Sequence, residues 1–396
     1  MARIILVLLF FVFANIFLNA QNQNTEFVEN RNRIAFEFYK EYLSEEKNQV
    51  ISPFFMNLSL SEIYLATKGG TASQIGDYMM FDSDKDKHLN NFINFQKIIS
   101  ENNSLNTNFV FSVDFFIEDT LKVLKSYNEK ISKYLVDTVK YIDFTASIDS
   151  IVAKINSIIE KKSEGYFVPY LSAVDIPENP NIILNSACYF SGFWAKNFEN
   201  TFTSSFKLDS DGKEIKHIKY FTSFDYFKYG ETEEYQIIEL PYEGYQLSLI
   251  VILPRDIYDL KNFEQIFNFD SYLLWRQKNM QTEKVRLLIP EFSVESFFNY
   301  KSNIDTIIPA IFTKGGNFLN LIRKVVFVNG LYHYAKFVVT DEGNEIDELE
   351  KLDFNTEMTE NESFIFNANK PFIFLLIHRQ SEAIIFMGHI YSPGIN

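Results

Sequence analysis

Residues 182–194 read Ile-Ile-Leu-Asn-Ser-Ala-Cys-Tyr-Phe-Ser-Gly-Phe-Trp, a run typical of a buried β-strand. Seven more short apolar runs bounded by glycine, proline or charged residues follow, at 236–240, 247–253, 284–289, 325–332, 336–340, 372–377 and 383–388. Before them, four-residue spacing of apolar side chains predicts helices at 30–44, 58–65, 91–99 and 121–135, with strand-like stretches at 108–117 and 141–145. Helices first and strands later, without regular alternation, predict an α+β fold and not a doubly wound parallel sheet.

Composition excludes several classes of protein. The chain has 396 residues, 46% of them hydrophobic, so it is neither a disordered tail nor a collagen-like fibre. The net charge of −15 disfavours binding to nucleic acid or to an anionic membrane surface. The lone Cys188 allows no internal disulfide and no cysteine-based zinc site.

The first twenty residues have the pattern of a secretory signal peptide. Arg3 precedes an apolar run, and the segment closes with the small residue Ala20, after which we expect cleavage. Asn15 and Asn19 interrupt the run, so a retained signal anchor is the weaker alternative. We therefore expect a secreted protein, with residues 21–396 as one domain because no repeat or linker divides them.

Glycosylation sequons occur at three asparagines. Asn102 and Asn361 are candidates for modification, whereas Asn57 lies in an apolar stretch and is expected to be buried.

Sequence motifs of catalysis are missing. None of the five histidines lies in a His-Glu-x-x-His pair, and there is no Gly-x-Ser-x-Gly elbow or phosphate-binding glycine loop. The glycine pair Gly69-Gly70 is more typical of a turn. We therefore expect no enzyme activity, no metal and no cofactor.

Residues 341–363 form an acidic segment between two strands. Ten acids against Lys351 give it a net charge of −9, which leaves −6 for the rest of a chain whose total is −15. So long a stretch without predicted structure inside a compact domain is usually functional or disordered.

Seven blocks in order along the chain resemble the serpin family. They are Asn48 to Phe54 with Lys68 to Thr71; Asn185 to Trp194 with Phe198 and Phe206; Glu239 to Tyr242 with Leu247 to Pro254; Ile289 to Phe292; His333 to Ala335; Glu342-Gly343; and Asn369 to Phe372 through Met387-Gly388 to Pro393. The resemblance covers the chain from about residue 30 to the C-terminus.

The resemblance implies three β-sheets, eight or nine helices and an exposed reactive-centre loop at about 341–363. It also implies a function, inhibition of a serine protease, with a cysteine protease as the other target class. The protease cleaves the loop as a pseudo-substrate, and the cleaved loop inserts into the central sheet. The implied protein is a monomer that needs no cofactor. We expect no heparin-type activator, because the early helices carry no basic cluster.

Six residues match positions that control sheet opening in the family. Ser52, Asn185 and His333 match a buried polar cluster, and Trp194, Glu291 and Asp341 match the top of the central sheet. Phe55 stands where the family commonly has a second serine, and Glu291 replaces a basic residue, so we expect it to repel Asp341.

The reactive bond is expected after Glu357, before Met358, or after Glu360, before Asn361, depending on the end from which the family spacing is counted. An acidic bait predicts a protease that prefers Glu or Asp.

The hinge departs from the family. It comprises Glu342, Gly343, Asn344, Glu345, Ile346, Asp347, Glu348, Leu349 and Glu350, whereas family hinges are small and mostly alanine. By the two-residue period of strands, insertion would bury Asn344, Ile346, Glu348, Glu350, Leu352 and Phe354. Ile346, Asp347, Glu348 and Glu350 are poorly suited to insertion, so the alternative is a non-inhibitory serpin whose acidic loop is a binding or decoy element.

Overall fold

The computed structural model describes residues 25–394 except 43–45, 101–106, 135–138, 168, 209–214, 256–259 and 342–363, and leaves out the side chains of 94–100 and 133–134. In this part of the chain there are nine α-helices: α1 (25–42), α2 (Pro53–Ala66), α3 (Gly69–Met79), α4 (Lys85–Ser100), α5 (Lys125–Tyr134), α6 (Ile148–Lys162), α7 (Leu260–Ile266), α8 (Phe269–Leu274) and α9 (Lys301–Ile307). None of them is long and apolar enough to cross a membrane.

Fourteen strands are described: β1 (Gln49–Ile51), β2 (Thr107–Glu118), β3 (Lys140–Ile142), β4 (Ile182–Gly192), β5 (Asn200–Lys207), β6 (Ile215–Glu231), β7 (Tyr235–Pro241), β8 (Leu247–Pro254), β9 (Gln281–Pro290), β10 (Phe292–Asn299), β11 (Val328–Val339), β12 (Phe364–Asn367), β13 (Phe372–His378) and β14 (Ala383–Ile390). The α+β prediction is confirmed.

Five strands form the central sheet, in the order β10-β11-β4-β2-β3. The other nine follow the order β1-β14-β13-β8-β7-β6-β9-β12, with β5 paired to β6. The long β6 pairs with β5 and β9 over most of its length and with β7 only at its end, so it joins two smaller sheets. The expected three-sheet arrangement is thus present.

Two apolar cores lie on opposite faces of the central sheet. The larger packs α1, α2 and the nine-stranded sheet against one face, and its members include Leu331 and Phe337 of β11. The smaller packs α6 against the other face, where Tyr332 and Tyr334 point. The alternation of side chains along β11 therefore places neighbouring residues in different cores.

Local sequence explains where the helices beside the central sheet begin. Pro53 occupies the first turn of α2, directly after Ser52, where a missing N–H costs nothing. The side chain of Ser147 caps α6 by accepting from the Ser150 N–H, and Lys161 and Lys162 lie in its last turn.

The expectation of a turn at Gly69-Gly70 is corrected, because both residues belong to the first turn of α3. Gly69 has a φ of +60°, in the left-handed region that glycine adopts at little cost, so the backbone conformation changes where α3 begins.

Candidate functional site

The centre of the site is the line where β11 and β4 pair in parallel, from Val328 opposite Ile182 to Phe337 opposite Phe190. The core-facing side chains along this line are fully buried: Leu331, His333, Ala335 and Phe337 on β11, and Leu184, Ser186, Cys188 and Phe190 on β4. No strand lies between β11 and β4, and the acidic segment follows directly after the end of β11.

A buried hydrogen-bond cluster crosses this line at His333. The Ser52 N–H donates to His333 Nε2 at 2.9 Å, and His333 Nδ1 lies 2.8 Å from Ser186 Oγ. Because Nε2 is the acceptor, the neutral ring carries its proton on Nδ1 and donates it to Ser186. The Ser52 hydroxyl donates to the Ile385 carbonyl at 2.6 Å. The cluster thus fastens β4, β11, β14 and the start of α2 to one another.

Burial keeps the His333 ring uncharged, because it lowers the pKa of His333 to about 3. The cluster is therefore a set of neutral hydrogen bonds at physiological pH.

Asn185 does not join this cluster, contrary to the sequence-based expectation. Its Oδ1 accepts from the Tyr170 hydroxyl at 2.8 Å on the opposite face of the sheet. Successive residues of a strand face opposite sides, so Ser186 and not Asn185 points toward His333. Both residues are polar, so composition alone could not tell which one faces the histidine.

Phe55, at the position where the family commonly has a serine, makes aromatic contacts. Its ring stacks on Phe111 with centroids 4.8 Å apart and lies 5.8 Å from Phe109. The start of α2 is therefore sealed against β2 by apolar packing.

On the other face, the segment after α6 is fastened across β11 and β4. Tyr170 stacks on Tyr334 with centroids 4.6 Å apart, and the Tyr332 hydroxyl donates to the Asp175 carbonyl. Lys162 pairs with the fully buried Asp114 of β2 at 2.7 Å. Sequence reasoning missed these residues, because nothing local in the sequence brings α6 to the sheet.

At the top of the sheet, Trp194 holds the last residue before the acidic segment. Its indole N–H donates to the Thr340 carbonyl at 2.8 Å, and its ring stacks on Tyr242 with centroids 4.4 Å apart.

Glu291 and Asp341 lie together beside Trp194, but Lys219 joins them. The Lys219 ammonium lies 2.7 Å from Glu291 and 2.9 Å from Asp341. Burial and the Asp341 carboxylate raise the pKa of Glu291. Burial acts in the same direction on Asp341, yet the hydrogen bonds from Lys219 and Glu291 bring its pKa below the usual value. The expected net repulsion is therefore corrected: a cation from β6, distant in sequence, bridges the two acids.

The remaining predicted positions lie outside the described residues. These are residues 1–20, Asn102, Asn361, the hinge and both candidate reactive bonds. Asn57 is described and is 1% exposed, with its Oδ1 accepting from Arg31 at 2.7 Å, so its predicted burial is confirmed.

One acidic cluster in the described part has the spacing of metal ligands. Carboxylate oxygens of Glu118, Asp119 and Asp143 lie within 4.8 Å of one another at the end of β2. Two of these residues are exposed, and Asp143 already accepts from the Thr145 N–H and hydroxyl. Exposed acidic groups of this kind are common on protein surfaces, so the cluster does not by itself indicate a metal site.

Comparison with known proteins identifies the family. The family model for serpins, serine protease inhibitors, matches residues 29–393. The chain is 27% identical to Serpin B10 of Bos taurus, over 91% of this chain and 98% of that protein. It is 28% identical to the leukocyte elastase inhibitor of Xenopus laevis, over 87% and 93%.

Its structure resembles that of uncleaved ovalbumin with a TM-score of 0.83 at 22% identity, covering 92% of this chain and 99% of that one. Proteins of this family are in general inhibitors of proteases and not enzymes, although some members inhibit none. The chain belongs to the serpin family.

Proposed function

We propose that this chain is a secreted serpin that inhibits a serine endopeptidase as a suicide pseudo-substrate, with residues 21–396 forming its single domain. The protease's serine attacks the backbone carbonyl at the bait bond, the new amino terminus leaves, and the protease stays attached as an ester. The freed segment then inserts between β11 and β4 and carries the protease with it. The direct parallel pairing of β11 and β4 is the observation that supports this proposal most strongly.

Two features of that pairing favour insertion. The segment 342–363 follows β11 closely in the sequence, so on insertion it would run antiparallel to both central strands. An inserted strand would replace one parallel ladder by two antiparallel ladders, which are slightly more stable per residue.

The bait bond is proposed after Glu357, or after Glu360, and a glutamate there suits a protease that prefers Glu or Asp. Lys219, Trp194 and Asp341 would hold the upper end of the line closed, and Ser52, Ser186 and His333 would hold its middle. The proposed inhibitor acts as a monomer and needs no cofactor or heparin-type activator.

The non-inhibitory function is the second candidate, and the hinge acids favour it. Glu348 and Glu350 would face the buried side of the sheet, where the flanking side chains are apolar except at Ser186 and His333. Burial shifts of up to about 3 to 5 pKa units correspond to roughly 4 to 7 kcal/mol for each carboxyl. Insertion slowed by that amount would let the protease complete hydrolysis and leave, so the loop would act as a decoy or a binding element.

A protease panel followed by denaturing gels tests the proposal. An inhibitor forms a covalent complex that survives denaturation, and its cleaved form unfolds at a higher temperature than the intact chain. Cleavage without a complex and without a gain in thermal stability contradicts inhibition and supports the decoy function.

Alanine substitution in the hinge tests the cause. Glu348→Ala with Glu350→Ala should raise the fraction of attacked chains that form the complex, because both carboxylates would otherwise be buried. Glu345→Ala with Asp347→Ala is the matched control, since it removes the same charge from the opposite face of the same segment. Equal gains in the two variants would show that charge, and not burial, limits insertion.

Secretion is part of the proposal and is supported by residues 1–20. Expression in a secreting cell should deliver a chain whose first residue is Gln21.

A further inference from the structure

A cavity of about 370 Å³ lies between the start of α1, the end of α3 and the start of α4, and is called the α1–α3–α4 cavity below. Glu26, Phe27 and Asn30 line it from α1, and Lys87 lines it from α4. Cavities of about 300 to 1,000 Å³ are the usual sites for small organic molecules in proteins. The volume is therefore sufficient for a small ligand.

The inner wall of the cavity is apolar and fixed by contacts within the protein. Phe27 and Phe81, each 8% exposed, form it together with Met80. The guanidinium of Arg31, which does not line the cavity, lies 5.5 Å from the Phe27 centroid and 4.8 Å from the Phe81 centroid. It donates to the Met79 carbonyl and, at 2.8 Å, to the Met80 carbonyl. Arg31 thus joins α1 to the end of α3, so a ligand need not order this wall.

The rim of the cavity is acidic. Carboxylates of Glu26, Asp77 and Asp82 line it, against the single ammonium of Lys87. Lys87 pairs with Asp82 at 2.6 Å, whereas the exposed Glu26 and Asp77 have no ion pair with any described residue. The hydrogen bond to Asp82 raises the pKa of Lys87, and the charge of Glu26 adds to this effect. The rim therefore already stabilises one ammonium group and keeps two carboxylates for another.

The arrangement of charges favours an organic cation over a metal ion. In the described part of the chain, the group of acids at metal-ligand spacing is Glu118, Asp119 and Asp143, and none of these lines the cavity. The carboxylates of the rim are thus too far apart to share one small ion, whereas an extended ligand can reach them.

Arg31 sets the orientation of such a ligand. Burial lowers the pKa of Arg31 to about 9, so the guanidinium keeps its charge at physiological pH. That charge repels a cation from the aromatic wall and leaves the wall to the apolar part of the ligand. The cationic end is then directed to the rim.

We propose that the α1–α3–α4 cavity binds an organic ammonium ion whose apolar or aromatic body packs on Phe27, Met80 and Phe81, while its charged end reaches Glu26 and Asp77. Ion pairs with exposed carboxylates are weak, so contact with the inner wall supplies much of the affinity. The inference does not depend on protease inhibition, because none of these residues lies in the acidic segment or on the β11–β4 line.

Calorimetric titration of the full chain with phenethylammonium tests the proposal. We expect a dissociation constant of about 1 mM or tighter, which a ligand of this size reaches in a preformed cavity. Phenethyl alcohol and hydrocinnamate have similar bodies, but the first carries no charge and the second a negative one. Both should bind about tenfold more weakly than the amine, or not at all.

Removal of the rim charges tests the role of the carboxylates. Glu26→Gln with Asp77→Asn should weaken the binding of phenethylammonium about tenfold, and the loss should shrink as salt is added. Glu29→Gln with Glu37→Gln is the matched control, because it removes the same charge from exposed positions of α1 that do not line the cavity. The control should bind the amine like the unmodified chain.

Two further variants test competition and shape. Lys87→Gln should strengthen the binding of phenethylammonium, because it frees the Asp82 carboxylate for the ligand. Asn30→Trp fills the cavity without a change of charge and should abolish binding. Thermal unfolding without ligand checks that each variant folds, and added phenethylammonium should raise the unfolding temperature only of those chains that bind it.

Four results would overturn the proposal. Equal affinity for the amine and the alcohol would make the cavity a purely apolar site. Tighter binding of hydrocinnamate would show that Arg31 attracts an anion. Binding that Asn30→Trp leaves unchanged would place the ligand elsewhere on the molecule. The fourth is the absence of saturable binding at about ten times the expected dissociation constant.

Discussion

The contact between Ser186 and His333 is a buried side-chain hydrogen bond that joins β4 to β11. Both groups are fully buried, so removal of the Ser186 hydroxyl takes the hydrogen-bond partner of the imidazole N–H away from a site without water access. A buried donor left without a partner costs about 1 to 3 kcal/mol.

We therefore predict that Ser186→Ala lowers the free energy of unfolding by about 1 to 3 kcal/mol, measured by urea denaturation. Ser191→Ala on the same strand is the control, since Ser191 accepts only a 3.4 Å hydrogen bond from Asn108. Equal losses in the two variants would mean that the His333 contact does not stabilise the pairing.

At the scale of elements, Lys219 of β6 joins the top of β11 to the residue between β9 and β10. The lysine side chain is 42% exposed, so water weakens both ion pairs. Their removal leaves Glu291 and Asp341 facing each other without a cation.

We predict that Lys219→Met destabilises the fold by about 1 kcal/mol at pH 7. Glu291 has a raised pKa in the folded state, so its protonation stabilises the variant as pH falls toward the unfolded carboxyl value of about 4.3, and the loss should shrink there. Lys216→Met, on the same strand, should change stability little, because the exposed Lys216 makes a long 3.4 Å hydrogen bond to the Ser392 hydroxyl and no ion pair among the described residues. A loss of stability that is the same at pH 7 and at about pH 4.3 would contradict the bridging role of Lys219.

Apolar runs predicted strands with two buried faces, such as β8 and β14, whereas β6, which has one exposed face, could not be predicted. The runs at 247–253 and 383–388 fall within β8 and β14, whose side chains are all buried. In contrast, β6 alternates buried residues with exposed Lys216, Lys219 and Lys228, so no apolar run marks it. The runs at 325–332 and 336–340 belong to the single strand β11, because the side chains between them are buried in both cores.

The candidate site was predictable only in part for a related reason. Ser52, His333 and Trp194 could be found because the motifs around them resemble the family, but Lys219, Ser186 and Tyr170 could not. Their roles depend on strand parity or on contacts between residues far apart in the chain.

For the whole molecule, three of the four buried histidines make the folded state sensitive to acid. Burial lowers the pKa of His88 and of His333 to about 3 and that of His378 to about 4. Below the unfolded value of about 6.5, the unfolded chain binds protons that the folded chain does not, so stability falls as pH falls. Glu239 also makes stability fall with pH, in a lower pH range. Burial alone would raise the pKa of Glu239, but Arg276 and Arg379 outweigh burial and lower this pKa to about 2.

We predict that the free energy of unfolding declines between pH 6.5 and pH 4.5, with up to about 1.4 kcal/mol per pH unit from each buried histidine. His333→Gln should remove the contribution of about one proton from the slope of unfolding free energy against pH, even if the variant is less stable at pH 7. His217→Gln, at an exposed position of β6, should leave the slope unchanged. Urea titrations at several pH values measure the slope, and an unaltered slope in His333→Gln would show that His333 takes up its proton without unfolding.

The reactivity of the Cys188 thiol can report when the two central strands separate. The thiol is fully buried on β4 opposite Ala335, and it donates to the Tyr334 carbonyl at 3.6 Å. Burial raises its pKa well above the usual value, so the sulfur is protonated and unreactive while the strands are paired. Since the chain has one cysteine, alkylation of the native protein counts the openings that expose this sulfur, with no label introduced. Separation of the two central strands thus becomes a rate that a mass spectrometer can follow.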